Sequence, residues 1–368
     1  MIGMAKPQVG EEEIAAVVDV MRSGQLAAGP KVNEFEQAFA SYIGAKEGVA
    51  SCNGTTALHV ALLALGVQPG DKVLTTPFTF IASSNSILFN QATPVFVDIN
   101  PSTFLLDPDK LEAYLEKNYE PSMKAIMVVH LFGLACDMDR IMSIANKYKL
   151  KVIEDCAQAH GAEFNGVKAG SFGDASSFSF YPTKNMTTGE GGITLFKDSA
   201  VANLARKFVN HGRVDQYLHD VLGYNYRLTS IAAVIGLAQL KKVDGFNKNR
   251  IHNAAIYDKE LSSVDGVVVP SKPAACKHVY HQYTIRVDAG KRGALQQYMK
   301  DNDIGSAVVY PFSMNQQPCY EGVCEYEELS IAEEVSGEVL SIPVHPALVD
   351  EDIFKVVQVI TSFFQGAK

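Results

Sequence analysis

From about Glu47 to Phe196, short apolar runs alternate with helix-length amphipathic segments, which is the pattern of a sheet built from βαβ units with helices on both faces. Seven runs are expected to be strands: Gly48–Ser51, Lys72–Thr76, Pro94–Asp98, Ala125–His130, Lys151–Asp155, Ser176–Phe180 and Gly192–Phe196. Helical periodicity lies between most of them, at Thr55–Leu65, Ile81–Gln91, Pro108–Lys117 and Asp137–Tyr148. Gly66 ends the first of these helices, and Pro108 opens the third at a favoured early position. The class that follows is α/β. After about Lys241 the pattern changes to a polar helix, Phe246–Ser262, then separated strand-like pieces at His281–Val287 and Ala307–Tyr310. We therefore expect a large α/β domain over residues 1–240 and a smaller α+β domain over 241–368. There is no internal repeat and no low-complexity tract.

Composition narrows the choice of partners. With 368 residues and 47% hydrophobic content, the chain can bury one large core and a smaller one. The balance of 32 basic against 41 acidic residues, with no Lys/Arg block, argues against a nucleic-acid partner. Met1–Gly10 has no basic patch followed by an apolar run, and Ile231–Leu240 is too short to span a bilayer. No membrane association and a cytoplasmic location are the expectations. Six cysteines, at 52, 136, 156, 276, 319 and 324, form no CxxC pair and have no His at zinc-ligand spacing. They read as reduced packing residues, Cys156 included, and no metal is expected.

Three segments carry candidate chemistry. In Asn53-Gly54-Thr55-Thr56-Ala57-Leu58 a strand gives way to a helix through a Gly-Thr-Thr turn. Free N–H groups at a helix start, with two hydroxyls, suit a phosphate dianion, although Thr is also an ordinary helix cap. In Lys151-Val-Ile-Glu-Asp155-Cys-Ala-Gln158-Ala-His160 an apolar strand runs into a carboxylate at its C-terminal end, the edge where open α/β sheets bind ligands. Asp155 there can hold a cation, such as a protonated pyridine nitrogen, or can simply cap a helix. In Ser176-Ser-Phe-Ser179-Phe-Tyr-Pro-Thr-Lys184-Asn-Met-Thr-Thr-Gly189-Glu-Gly-Gly192 a lysine sits between a strand-like stretch and a Gly-rich turn. Buried among aromatic residues, such an amine loses its proton more easily and becomes a nucleophile for a carbonyl; on a surface loop it would do neither.

Taken together, the three segments resemble the DegT/StrS sugar aminotransferase family of fold-type I enzymes that use pyridoxal 5′-phosphate (PLP). Ser23-Gly24 through Gly29-Pro30, Pro77-Phe-Thr-Phe80, Asn210-His-Gly-Arg213 and Gly223-Tyr-Asn-Tyr-Arg-Leu-Thr229 extend the likeness over nearly the whole chain. Spacing around the lysine is similar to the GDP-perosamine synthase type, which aminates a 4-keto nucleotide sugar. The resemblance implies a mostly parallel seven-stranded sheet between helices and an obligate homodimer with active sites at the interface. It implies that Lys184 forms a Schiff base with PLP and shuttles a proton. Asp155 would pair with the pyridine nitrogen, Gln158 with the ring hydroxyl, and Phe80 would stack on the ring. Phosphate would rest on Thr55, the Thr56 backbone and Ser179, with Asn225 reaching in from a second subunit.

L-Glutamate is then the implied amino donor and a nucleotide-linked keto-sugar the acceptor. Family dehydratases are expected to carry His where this chain has Lys184, so transamination is favoured. Arg213 and Arg227 have guanidinium forks suited to a diphosphate. The stretch Tyr310-Pro-Phe-Ser-Met314-Asn315-Gln-Gln-Pro318 has Asn315 where many members have His, and Thr187-Thr188-Gly189-Glu190 looks more like the 4-amino than the 3-amino enzymes. Amination at C-3, a cyclitol ketone as acceptor, and a non-transaminating PLP-binding relative are the competing readings.

Overall fold

The start of helix α3 (Gly54–Ala64) shows how locally these elements are set, as do those of α5 (Pro108–Asn118) and α6 (Met138–Tyr148). Asn53 sits in extended conformation and its side-chain oxygen accepts the Thr56 backbone N–H at 2.9 Å, so the helix begins at Gly54. Asp107 and Asp137 cap α5 and α6 in the same manner, the former with Pro108 at the first helical position. The computed structural model describes residues 1–366. Its helices are α1 (Glu11–Ser23), α2 (Pro30–Ile43), α3 (Gly54–Ala64), α4 (Ala82–Phe89), α5 (Pro108–Asn118), α6 (Met138–Tyr148), α7 (Ser199–Val209), α8 (Ser230–Leu240), α9 (Val243–Leu261), α10 (Ala289–Asp301), α11 (Ser330–Glu338) and α12 (Asp350–Gly366).

All seven expected strands of the large sheet are present: β1 (Glu47–Ser51), β2 (Lys72–Thr75), β3 (Thr93–Phe96), β4 (Met123–Val129), β5 (Lys151–Asp155), β8 (Ala175–Ser179) and β9 (Gly192–Phe196). Two short strands, β6 (Glu163–Phe164) and β7 (Val167–Lys168), form a hairpin that pairs with β11 (Cys276–Lys277). A three-stranded antiparallel sheet is made by β10 (Val267–Val268), β12 (Tyr283–Val287) and β14 (Val339–Ile342). With β13 (Glu325–Tyr326) at one edge, the large sheet runs β1-β9-β8-β5-β4-β2-β3-β13, mostly parallel, with β9 antiparallel to both of its neighbours.

Two features differ from the sequence reading. The large sheet has an eighth strand, β13 (Glu325–Tyr326), which comes from far along the chain and lies parallel to β3. Two residues are too few to show alternation, so the pattern could not reveal it. Ala307–Tyr310 is not a strand; it makes one bridge, Ala307 to Ser341, because the rest of the segment turns toward the large sheet.

Apolar side chains gather accordingly. Phe39 meets Phe178 and Phe180 edge to face at 4.9 and 5.1 Å between α2 and the sheet. Helix α3 is buried nearly all round, from Ala57 to Leu62, which explains why its sequence is apolar rather than amphipathic. The smaller core joins α9, α10 and α12 to the small sheet through Tyr257, Tyr283, Leu295, Ile353 and Val356. Ile2 belongs to it as well, held by Ile2 N–H to Asp303 O and Gly305 N–H to Ile2 O at 2.8 Å each.

Candidate active site

The C-terminal ends of β4, β5 and β8 and the N-terminus of α3 border one cavity of about 490 Å³. Asp155, Gln158, Ser179, Lys184, Thr55 and Phe80 all line it, so folding brings together six of the eight candidate residues. Such a location outside the carboxyl ends of the strands is where open α/β sheets bind ligands.

Asp155 is buried, and each oxygen has one protein donor. Ser83 Oγ donates to Oδ2 at 2.7 Å, and Ala157 N–H donates to Oδ1 at 3.0 Å. Ser83 in turn shares a hydrogen bond of 2.9 Å with Thr79 Oγ1. Lone pairs remain on a carboxylate so placed, which suits a cationic N–H from the cavity.

Lys184 stands in the loop between β8 and β9. Thr187 Oγ1 donates to Phe180 O at 2.8 Å and accepts Gly189 N–H at 2.9 Å, while Phe180 N–H donates to Gly191 O at 2.8 Å. Gly189 has φ of +82°, which a side chain would strain. The Thr-Thr-Gly run is therefore the brace of this loop, and Glu190, the residue after it, reaches the cavity. Burial pushes the Lys184 amine down to about 8, against an opposing upward pull from Asp155. A usable fraction is then a neutral nucleophile near pH 7.

The end of the cavity at the start of α3 is tightly built. A Cβ on Gly54 would come within 2.6 Å of Ser179 Cβ, and one on Gly192 within 2.2 Å of Asn53 O. Glycine at both positions lets the start of α3 sit directly on the end of β8, placing Thr55 and Ser179 side by side. Phe80 is 57% exposed, so a ring face is free toward the cavity, 6.3 Å from the tilted ring of Tyr310. Gln158 accepts Phe132 N–H at 2.7 Å and donates to the Tyr310 hydroxyl at 3.1 Å.

Thr56 and Asn225 stand off the lining. The Thr56 backbone N–H is taken by Asn53, and its hydroxyl donates to Asn53 O at 2.8 Å. Asn225 is exposed and bridges to Asn210. Arg213 donates to Asp215 O at 2.7 Å and Arg227 to Asn210 Oδ1 at 2.9 Å, both away from this cavity. Asn315 is also outside it, donating to Glu333 at 2.8 Å.

Sequence reasoning missed Ser83, Tyr310 and His281. Ser83 left a faint trace, since Ser83, Ser84 and Ser86 crowd one short helix and all are buried. His281 left none. Asn185 Nδ2 donates to Asn247 Oδ1 at 2.8 Å, so Asn185 Oδ1 must accept; His281 Nδ1 therefore carries the hydrogen in the 3.1 Å bond between them. Burial first, then the charges of Lys184 and Arg250, hold this imidazole well below its ordinary range, so Nε2 keeps a lone pair.

Next to Asp155 on both sides lies a different cluster. His130, Glu154 and Cys156 have ligating atoms within 4.8 Å of one another, a spacing a metal ion would accept. Their lone pairs are already spent. Glu154 accepts N–H groups from Gly170, Phe172 and Gly173 at 2.7–2.8 Å, and His130 Nε2 at 2.9 Å. Cys136 N–H donates to His130 Nδ1 at 3.0 Å, which fixes a neutral imidazole with its hydrogen on Nε2. Burial pushes the Cys156 thiol up to about 12, which leaves it protonated and inert.

A lysine amine and a carboxylate lining one cavity at the carboxyl edge of a mostly parallel sheet, with a glycine-tight helix start beside them, define a fold-type I architecture. The chain belongs to the DegT/DnrJ/EryC1/StrS aminotransferase family, whose profile matches residues 7–361. It is 41% identical to the pleiotropic regulatory protein of Geobacillus stearothermophilus, over 96% of this chain and 95% of that one. It is 40% identical to GDP-perosamine synthase of Caulobacter vibrioides (97% and 96% covered). Identity is 37% to the UDP-N-acetyl-3-dehydro-alpha-D-glucosamine 3-aminotransferase of Acidithiobacillus ferrooxidans (97% and 95% covered). Among solved structures, Spr1654 of Streptococcus pneumoniae in its PLP form superposes with a TM-score of 0.93 at 27% identity, covering 100% of this chain and 99% of that one.

Proposed function

We propose that this protein is a PLP-dependent aminotransferase that moves an amino group from L-glutamate to C-4 of a nucleotide-linked keto-sugar, for amino-sugar or glycan biosynthesis. The observation that carries the reading is Lys184, with its lowered amine pKa, lining the same cavity as a buried Asp155 that has lone pairs to spare. The donor set fits PLP. The glycine-tight junction of α3 and β8 offers N–H and hydroxyl donors to its phosphate, Asp155 to its pyridine N–H, Phe80 to its ring face, and Lys184 to its carbonyl. Bound PLP supplies an electron sink for the carbanion left when the amine-bearing carbon loses its proton.

The residues of this chain do the rest. Lys184 Nζ holds the cofactor covalently and then carries the proton between substrate carbon and cofactor. Asp155 keeps the pyridine nitrogen protonated, and Ser83 and Ala157 N–H fix the rotamer that allows it. Gln158, anchored by Phe132 N–H, is placed for the ring hydroxyl. For Asn225 we propose a role across a homodimer interface, with the Thr56 amide joining the phosphate site once the cap relaxes. Exposed apolar side chains on the same loop, Tyr217 at 84% and Leu222 at 83%, support a covered surface there.

The C-4 assignment leans on the Caulobacter relative and on the sequence after the lysine; the Acidithiobacillus relative favours C-3 as the second reading. The test is a half-reaction. Protein loaded with PLP is converted by L-glutamate, then offered a panel of 4-keto and 3-keto nucleotide sugars. Recovery of the cofactor's original absorption with a 4-keto sugar supports the proposal, and recovery only with 3-keto sugars supports the second reading. Recovery only with a cyclic ketone, or no conversion by glutamate, would remove both. Lys184→Ala is expected to fold but to retain no cofactor through borohydride reduction and denaturation.

A further inference from the structure

A second, smaller cavity of about 20 Å³ lies behind Lys184 and is lined by Lys6, Lys184 and Arg250 but by no acidic residue. Arg250, on α9, is 5% exposed and has no ion-pair partner among the described residues. Its Nη1 donates to Tyr280 O and His281 O at 3.2 and 3.1 Å, while its Nε is buried without any partner. Burial lowers this guanidinium only to about 10, so it is charged at neutral pH. Polar neighbours do not help it. Gln239 donates to Gln8 O and Glu13 at 2.7 and 2.8 Å, and Asn185 to Asn247. Glu13 is the nearby acid, but it is already met by Lys242, Gln239 and Gly10 N–H and does not line the cavity.

A buried guanidinium without a counter-ion is costly, and one small anion in this cavity would offset one of the three positive charges that line it. We propose that Arg250 and Lys6 form a binding site for one small monoanion, of carboxylate or halide size, against the back of Lys184. Its source is either a carboxylate of the amino donor or a free inorganic anion. The donor source rests on the aminotransferase reading above; the inorganic source does not. The main cavity is lined by no arginine, so a donor carboxylate has no guanidinium in it to meet.

The first measurement uses protein without cofactor, so that it is independent of activity. Chloride NMR line broadening is recorded for the native protein, Arg250→Lys and Lys6→Gln, with formate as the competing carboxylate. Losing the Lys6 charge, or the guanidinium fork of Arg250, should weaken the site about tenfold. Broadening that formate displaces and that both variants reduce would support the proposal. Lys6→Gln keeps the test open should Arg250→Lys fold poorly, because Lys6 is exposed. The second measurement is the glutamate half-reaction of PLP-loaded protein. A roughly tenfold rise in the glutamate KM of Lys6→Gln, with chloride competing against glutamate, would identify the donor as the source. An unchanged KM, with chloride broadening that is present in the native protein and reduced in both variants, would identify the inorganic anion. Broadening equal in native and variant proteins, with an unchanged KM, would overturn the site while leaving the aminotransferase reading standing.

Discussion

Glu154 and Asp155 are adjacent on β5, and both are buried, yet they do opposite things. Alternation along the strand sends them to opposite faces of the sheet. Glu154 points into the interior, where four donors close around it and bind β5 to the Gly170–Gly173 loop and to His130. Asp155 faces the cavity with one donor on each oxygen. A carboxylate whose lone pairs are all used holds structure; one with lone pairs left over can hold a ligand. Burial alone separates nothing here, since both side chains are almost fully covered.

Substituting the two in parallel is the direct way to break this contrast. Asp155→Asn keeps the shape but not the charge, and should cut the glutamate half-reaction about 1,000-fold with an unchanged thermal midpoint. If activity fell only slightly, Asp155 would be the cap of the turn at Ala157 and nothing more. Glu154→Gln should do the reverse. The amide brings two hydrogens into a cage of donors, and unfolding in urea should show a loss of about 3 kcal/mol, with near-native activity per folded molecule. Equal stability in the two variants would erase the distinction between them.

Smaller effects sharpen it. Ser83→Ala removes one of the two protein donors to Asp155 and should weaken PLP binding about fivefold, measured by equilibrium titration, with stability little changed. The finest test is the pH dependence of Lys184 acylation in cofactor-free protein. Its rate should rise with pH to a midpoint near 8 rather than near the ordinary lysine range, because burial disfavours the ammonium form. Asp155 opposes that effect, so Asp155→Asn should move the midpoint lower still, and Glu154→Gln should leave it in place. The same sign governs stability. The folded protein binds the Lys184 proton less tightly than the unfolded chain, so this group favours folding progressively as pH rises through 8 toward the unfolded lysine value.

Much of this molecule was legible from one dimension. All seven principal strands, the capped starts of α3 and α5, and the two segments carrying Asp155 and Lys184 follow from periodicity and from residues whose preferences act over three or four positions. The family resemblance supplied roles for residues that the local pattern left ambiguous. Reading failed where a residue's meaning depends on a distant partner. Strand β13 is two residues long and exists because β3 has a free edge for it. Within this chain Asn315, which stands where a His was expected, bonds to Glu333, and Arg227, offered as a diphosphate partner, bonds to Asn210.

The sequence by itself therefore determined the α/β class, the order of the elements and the two segments that carry Asp155 and Lys184, because short-range sterics, capping and hydrophobic period are written into neighbouring residues. Only tertiary structure decided which carboxylate of Glu154-Asp155 stays open, which nitrogen of His281 carries the hydrogen, and that Arg250 meets no counter-ion among the described residues. Those depend on how many donors and charges arrive from elsewhere in the chain, and hydrogen-bond and charge balance is settled only when the surfaces meet.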